Sequence, residues 1–117
     1  MGLDRRIESR VPLEMYLDAY VDDRRQRGFT ANISETGILL NTLVHAPPPP
    51  LTPVALEFTL PGVRETIWAA GQICHDNLDD YFVGHGIRFT AMARLHARML
   101  RDYCFRFRWR RFQELRS

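Results

Sequence analysis

Val11-Pro-Leu-Glu-Met-Tyr-Leu-Asp-Ala-Tyr-Val-Asp22 sets Val11, Leu13, Met15, Leu17, Ala19 and Val21 against Pro12, Glu14, Tyr16, Asp18, Tyr20 and Asp22. A period of two held over this length predicts a β-strand with one face on a core. The same signature recurs downstream. Phe29, Ala31 and Ile33 alternate, Thr36-Gly37 interrupts the chain, and Ile38-Leu39-Leu40 opens a third strand. Val54, Leu56, Phe58 and Leu60 alternate up to a Pro61-Gly62 turn, and Ile67, Ala69, Gly71 and Ile73 form a fifth strand that ends in the polar stretch Asp76 to Asp80. Phe82 to Phe89 is the sixth, with Val83, Ile87 and Phe89 on one side and Gly84 and Gly86 leaving the other side bare. Six antiparallel strands with short connections predict a mainly β fold, a small barrel or sandwich.

Between these strands lie two punctuating stretches. Asp22 to Gly28 reads as a charged turn. Ala46 to Pro53 carries four consecutive prolines, which cannot donate to a ladder and so predict a stiff surface loop. From Ala91 the period lengthens. Met92, Leu95, His96, Met99, Leu100, Tyr103 and Phe107 share one side at about 100° per residue, and Arg94, Arg98 and Arg101 share the other. This predicts a C-terminal helix packed on or plugging the barrel. Phe105, Trp109 and Phe112 project with the arginines, away from the core stripe. They mark residues 104–117 as a basic aromatic extension, or as a tail that bends near Tyr103 and folds back. Exposed aromatics signal a contact, so Arg101, Phe105, Trp109 and Phe112 form a candidate partner surface.

With 117 residues the chain has room for one domain with a real core and hardly for two. No apolar run approaches the ~20 residues of a membrane span, and Met1 to Arg10 lacks the apolar stretch of a secretory signal. A soluble, cytoplasmic protein of bacterial type is expected. Cys74 and Cys104 cannot make a disulfide framework and read as reduced, buried thiols. The net charge of +2 hides an asymmetry. Every basic residue is arginine. Residues 1–90 hold eight of them against twelve carboxylates (−4), and residues 91–117 hold eight against Asp102 and Glu114 (+6). Arginine offers a planar, weakly hydrated fork that stacks on rings and grips phosphate.

Two short motifs carry the chemistry. Arg6-Ile-Glu-Ser-Arg10 is an RxxxR preceded by Arg5, in an arm (residues 1–10) that leads into the first strand. Asn32-Ile-Ser-Glu-Thr-Gly37 is an NxSxxG at the end of the second strand; Asn32 and Ser34 offer short donors and acceptors, and Gly37 permits a positive-φ turn. In this order they resemble the PilZ domain family. Arg5-Arg6-xxx-Arg10-Val-Pro, Asn32 to Leu40 (NISETGILL), Val54 to Pro61 (VALEFTLP) and Gly86-Ile-Arg-Phe89 all fit its pattern, over about residues 4–103. Thr36 stands where the family often has a second glycine.

The resemblance implies a six-stranded antiparallel PilZ-type barrel with a C-terminal helix over residues 11–103. It also implies a receptor for cyclic di-GMP. The residues suit such a ligand: arginine bonds guanine O6 and N7, stacks on the base and neutralises phosphate. The implied ligand residues are Arg5, Arg6, Arg10, Asn32, Ser34 and Gly37. Apart from the resemblance, the bare face of the last strand either brings Gly84, His85 and Gly86 near the same surface or marks a close strand crossing.

Catalysis finds no footing. Ser34 has no nucleophile-elbow pattern, and His45, His75, His85 and His96 lack metal-ligand spacing. The leading expectation is a non-enzymatic second-messenger receptor relaying cyclic di-GMP to an unidentified effector protein in motility, adhesion or biofilm control. The alternative is a PilZ-fold adaptor of motility or type IV pilus machinery that binds no nucleotide. Nucleic-acid binding is disfavoured by the acidic barrel portion.

Overall fold

Seven β-segments and one helix make up the computed structural model, which describes residues 10–42, 49–78 and 83–116. They run β1 (Val11–Pro12), β2 (Tyr16–Val21), β3 (Arg24–Ile33), β4 (Gly37–Thr42), β5 (Pro53–Phe58), β6 (Ile67–Leu78), β7 (Val83–Met92) and α1 (Arg94–Arg116). All strand pairings are antiparallel. The sequence β3-β2-β5-β6-β7-β4 closes on itself through the β3–β4 pair, so six strands form a closed barrel. The short β1 lies along the same edge of β3 as β2 and pairs Val11 with Ile33 and Pro12 with Asn32.

The first strand is thus split in two, and Thr30 splices the break. Its hydroxyl is fully buried, donates to the Leu13 carbonyl at 2.6 Å and accepts from the Met15 amide at 3.1 Å. A side chain here supplies the hydrogen bonds that the ladder loses. Opposite the break, the β3–β4 register slips by one between Thr30 and Asn32. This bulge decides which residues of β3 face inward. Gly28, Thr30 and Ile33 are buried, whereas Phe29 stays 37% exposed and Ala31 half-buried, so the expected inward set of Phe29, Ala31 and Ile33 is corrected.

The charged turn is also shorter than expected. Only Asp22 and Asp23 form it, both at positive φ (51° and 63°), and Val21 already pairs with Arg24. Two consecutive left-handed residues make the hairpin turn whose twist matches its strands, and aspartate tolerates that conformation. Arg24 to Gly28 therefore belongs to β3. At the other hairpin Pro61 and Gly62 turn the chain as expected, with Gly62 at φ 77° and the Val63 amide donating to Leu60. Strand β6 continues through Asp76 to Leu78, beyond its predicted end. Pro47, Pro48, Asp79, Asp80 and Phe82 lie outside the described residues.

The alternating apolar positions supply the core. Leu17, Ala19, Ile38, Leu40, Leu56, Phe58, Ile67, Ile73 and Ile87 point into the barrel. Helix α1 closes one end with Leu100 and Cys104, supported by half-buried Met99, Tyr103 and Phe107. At its start the Trp68 amide donates to His96 Nδ1 (3.2 Å), tying the helix to β6. Two expectations for this region are corrected. Met92 belongs to β7, which extends past Phe89, and Leu95 is 55% exposed because the helix meets the barrel one turn later. The helix runs unbroken to Arg116, so Phe105, Trp109 and Phe112 do not fold back on the barrel. Cys74 is exposed rather than buried, because it follows inward-facing Ile73 and so falls on the outer face of β6, beside a register shift between Ile73 and His75.

Candidate functional site

The NxSxxG stretch forms the β3–β4 hairpin. Ile33 pairs with Ile38, and the Ser34 amide donates to the Gly37 carbonyl at 2.8 Å. Ser34 is buried, and its hydroxyl organises the turn from within: it accepts from the Thr36 amide at 3.3 Å and lies 3.2 Å from the Thr36 hydroxyl. Such local side-chain bonding is why serine favours this position. The turn is also tied sideways, since the Phe89 amide donates to the Thr36 carbonyl at 2.9 Å.

Gly37 has a different reason from the one expected. It does not have positive φ; Gly62 is the glycine among the described residues that does. A Cβ at Gly37 would sit 2.6 Å from the Ile87 carbonyl oxygen, so the absence of a side chain lets β7 run close beside the turn.

Asn32, half-buried at the bulge, marks where the two motifs meet. Its Oδ1 accepts from Arg10 Nη1 at 2.7 Å. The last arginine of the RxxxR thus touches the first residue of the NxSxxG, 22 positions away. Across the sheet Asn32 is in register with Leu39, and Leu39 with Gly86, so Gly86 lies on the same row. His85 is buried and faces the core instead. Arg5 and Arg6 lie outside the described residues, as does Gly84's immediate surface.

One partner of this turn had no signal in the sequence. Glu35, between Ser34 and Thr36, receives a two-pronged ion pair from Arg108 of α1: Nη1 to Oε2 at 2.7 Å and Nη2 to Oε1 at 2.8 Å. That hydrogen-bonded guanidinium holds the Glu35 carboxyl below its ordinary value of 4.5. Cys104, one turn earlier on α1, has its thiol pushed up to about 11, chiefly by burial. Another cluster went unread: on the outer wall Tyr16 (63% exposed) meets Phe29 edge-on at 5.0 Å, and Arg27 lies 5.0 Å over the Tyr16 ring.

The outer face of α1 carries Arg101, Phe105, Trp109 and Phe112, all exposed. Trp109 and Phe112 stack at 5.7 Å, with the Arg116 guanidinium 5.8 Å above the Phe112 ring. From Trp109 to Arg116 every side chain is exposed. Among the described residues no group of three or more His, Cys, Asp or Glu is placed to hold a metal, and no helix is long and apolar enough to cross a membrane.

Comparisons with known proteins bear on this arrangement. The structure of the Bacillus subtilis inhibitor of motility (MotI/DgrA) superposes with a TM-score of 0.70 at 19% identity, over 83% of this chain and 48% of that one. This chain therefore spans about half the length of that protein. The PilZ domain of YcgR from Escherichia coli, solved with c-di-GMP, gives a TM-score of 0.64 at 13% identity, over 92% of this chain and 95% of that domain. No curated protein sequence matches the chain. At these identities the two structures speak to the fold alone. The PilZ domain profile, however, matches residues 4–106, spanning the arm, the turn, the barrel and the first half of the helix. This chain belongs to the PilZ domain family.

Proposed function

We propose that this chain is a non-enzymatic, cytoplasmic receptor for cyclic di-GMP that passes the signal to a protein partner in motility, adhesion or biofilm control. The observation that carries this reading is the 2.7 Å bond from Arg10 to Asn32, which joins the end of the arginine arm to the polar turn. Arg5, Arg6 and Arg10 would close over a ligand lying on the face that presents Asn32. Guanidinium forks suit its guanine edges and its two phosphates together. Ser34 keeps the turn in shape, and Gly37 leaves the backbone open beside β7. Ligand binding through the arm changes the surface offered to the partner, for which Arg101, Phe105, Trp109 and Phe112 are the docking residues. The YcgR PilZ domain, solved with c-di-GMP, supports the ligand class.

Isothermal titration tests the reading. Cyclic di-GMP should bind and cyclic di-AMP should not. Arg10→Ala should lose about 1.5–3 kcal/mol, as expected of a charge-assisted contact, or roughly ten- to hundredfold in affinity. Wild-type binding by both Arg6→Ala and Arg10→Ala would exclude this site. No heat with cyclic di-GMP at all would leave a PilZ-fold adaptor that binds no nucleotide.

A further inference from the structure

The ion pair between Arg108 and Glu35 joins two parts of the molecule that the reading above keeps separate. Glu35 is inside the turn, one residue from Ser34 and three from Asn32. Arg108 is on α1, 73 positions away and beyond residue 106, where the family match ends. Its neighbours divide between two surfaces: Phe107 packs against the barrel, and Trp109 faces outward. One turn earlier, fully buried Cys104 fixes that stretch of helix on the core. Both partners are about one-third exposed, so the pair adds little to stability. Its weight is in geometry and charge. The two-pronged fork sets one orientation of Glu35 relative to the helix. It also cancels a carboxylate that would otherwise stand in a turn meant to receive an anion.

Resting on the cyclic di-GMP reading, we propose that Arg108 is a positioning residue of the nucleotide site: by pairing with Glu35 it makes the turn receptive to an anionic ligand and couples ligand occupancy to the seating of the aromatic face of α1. Arg108 acts through Glu35. Linkage then requires the coupling to run both ways, from ligand to helix and from helix to ligand.

The experiment is a titration of cyclic di-GMP into wild type, Arg108→Ala, Arg108→Lys, Glu35→Ala and the Arg108→Ala/Glu35→Ala double variant. Arg108→Ala should weaken binding about tenfold, because it strands a carboxylate in the turn. Arg108→Lys, which keeps the charge and loses the fork, should fall between it and wild type. The double variant should bind better than Arg108→Ala alone, since removing Glu35 removes the charge to be cancelled. Binding by Arg108→Ala within twofold of wild type, or losses that multiply in the double variant, overturns the proposal. In a Trp68→Phe background Trp109 is the reporter on α1. Saturating ligand should shift its emission, and the added Arg108→Ala should abolish that shift; a shift of wild-type size overturns the coupling. Amide exchange without ligand separates the two readings. Arg108→Ala should speed exchange at Ser34 and Thr36, and Arg110→Ala should not. If wild type fails to bind cyclic di-GMP, the receptor reading falls; if those amides are unmoved by Arg108→Ala, the link between helix and turn falls.

Discussion

Thr30→Val replaces a fully buried hydroxyl by a methyl group of nearly the same volume, so it leaves the packing intact and removes hydrogen bonds alone. Two principal bonds disappear, the one donated to Leu13 O at 2.6 Å and the one accepted from Met15 N at 3.1 Å, together with a weaker share of the same hydroxyl proton given to Met15 O at 3.3 Å. Each backbone group stranded away from water costs about 1–3 kcal/mol. With some relief at the β1–β2 break, the sum is about 2–4 kcal/mol, a large part of the 5–15 kcal/mol that holds a typical domain together. Thr30→Ser keeps both bonds and deletes one methyl, for about 1 kcal/mol. Thermal unfolding followed by circular dichroism measures both, with an expected drop of about 10 °C in Tm for the valine variant. The order matters more than the size: valine, the better strand former, should be worse than serine. Thr30→Val as stable as wild type, or more stable than Thr30→Ser, would refute the account of Thr30 as the splice between β1 and β2.

Glu35 titrates below its ordinary value because of Arg108, so the pair contributes fully above about pH 4.5 and is lost as pH falls through the lowered native value. Glu35→Gln should therefore be less stable than wild type in urea at pH 7, and the two should converge in acid; a gap that widens in acid contradicts the sign. A maleimide at pH 7.5 should label Cys74 in the native protein and reach Cys104 only after unfolding, since Cys104 is buried with its thiol raised to about 11. Mass spectrometry counts one adduct, then two. Deletion of residues 109–117 removes no described side chain that is buried, so the unfolding free energy should stay within about 0.5 kcal/mol of wild type. If the partner docks on Phe105, Trp109 and Phe112, the same deletion should abolish its capture.

Much of the barrel was legible because alternation survives wherever a strand is regular. Val54, Leu56, Phe58 and Leu60 are all buried, as their spacing required. One misreading lies at an irregularity that leaves no trace in a period-two pattern: the bulge at Ala31 shifts the phase of β3 and leaves Phe29 at the surface. Cys74 was misread from its residue type alone, since alternation with inward-facing Ile73 already puts it outside. Asp22-Asp23 looks like the start of a solvated loop and is instead a two-residue hairpin, because nothing local tells that the four polar residues after it, Arg24 to Arg27, already belong to a strand. The site divides in the same way. The NxSxxG turn and Arg10 could be found as short motifs, and the 2.7 Å bond between them joins those two. Arg108 could not be picked out among eight helical arginines. Its partner is set by where the helix crosses the barrel end, a distance in space that spacing along the chain does not encode.

Closure of the sheet limits how anything else can attach to it. In the ring β3-β2-β5-β6-β7-β4 each strand already has a neighbour on both sides, and among the described residues only the two-residue β1 adds an outer rim. Strand addition, the route by which many modules capture extended peptides through their main chain, finds almost nothing to pair with here. Whatever this molecule recognises must be read by side chains on finished walls and on the helix. Exchanges at such positions can redirect its choice of associates while the framework underneath stays unchanged.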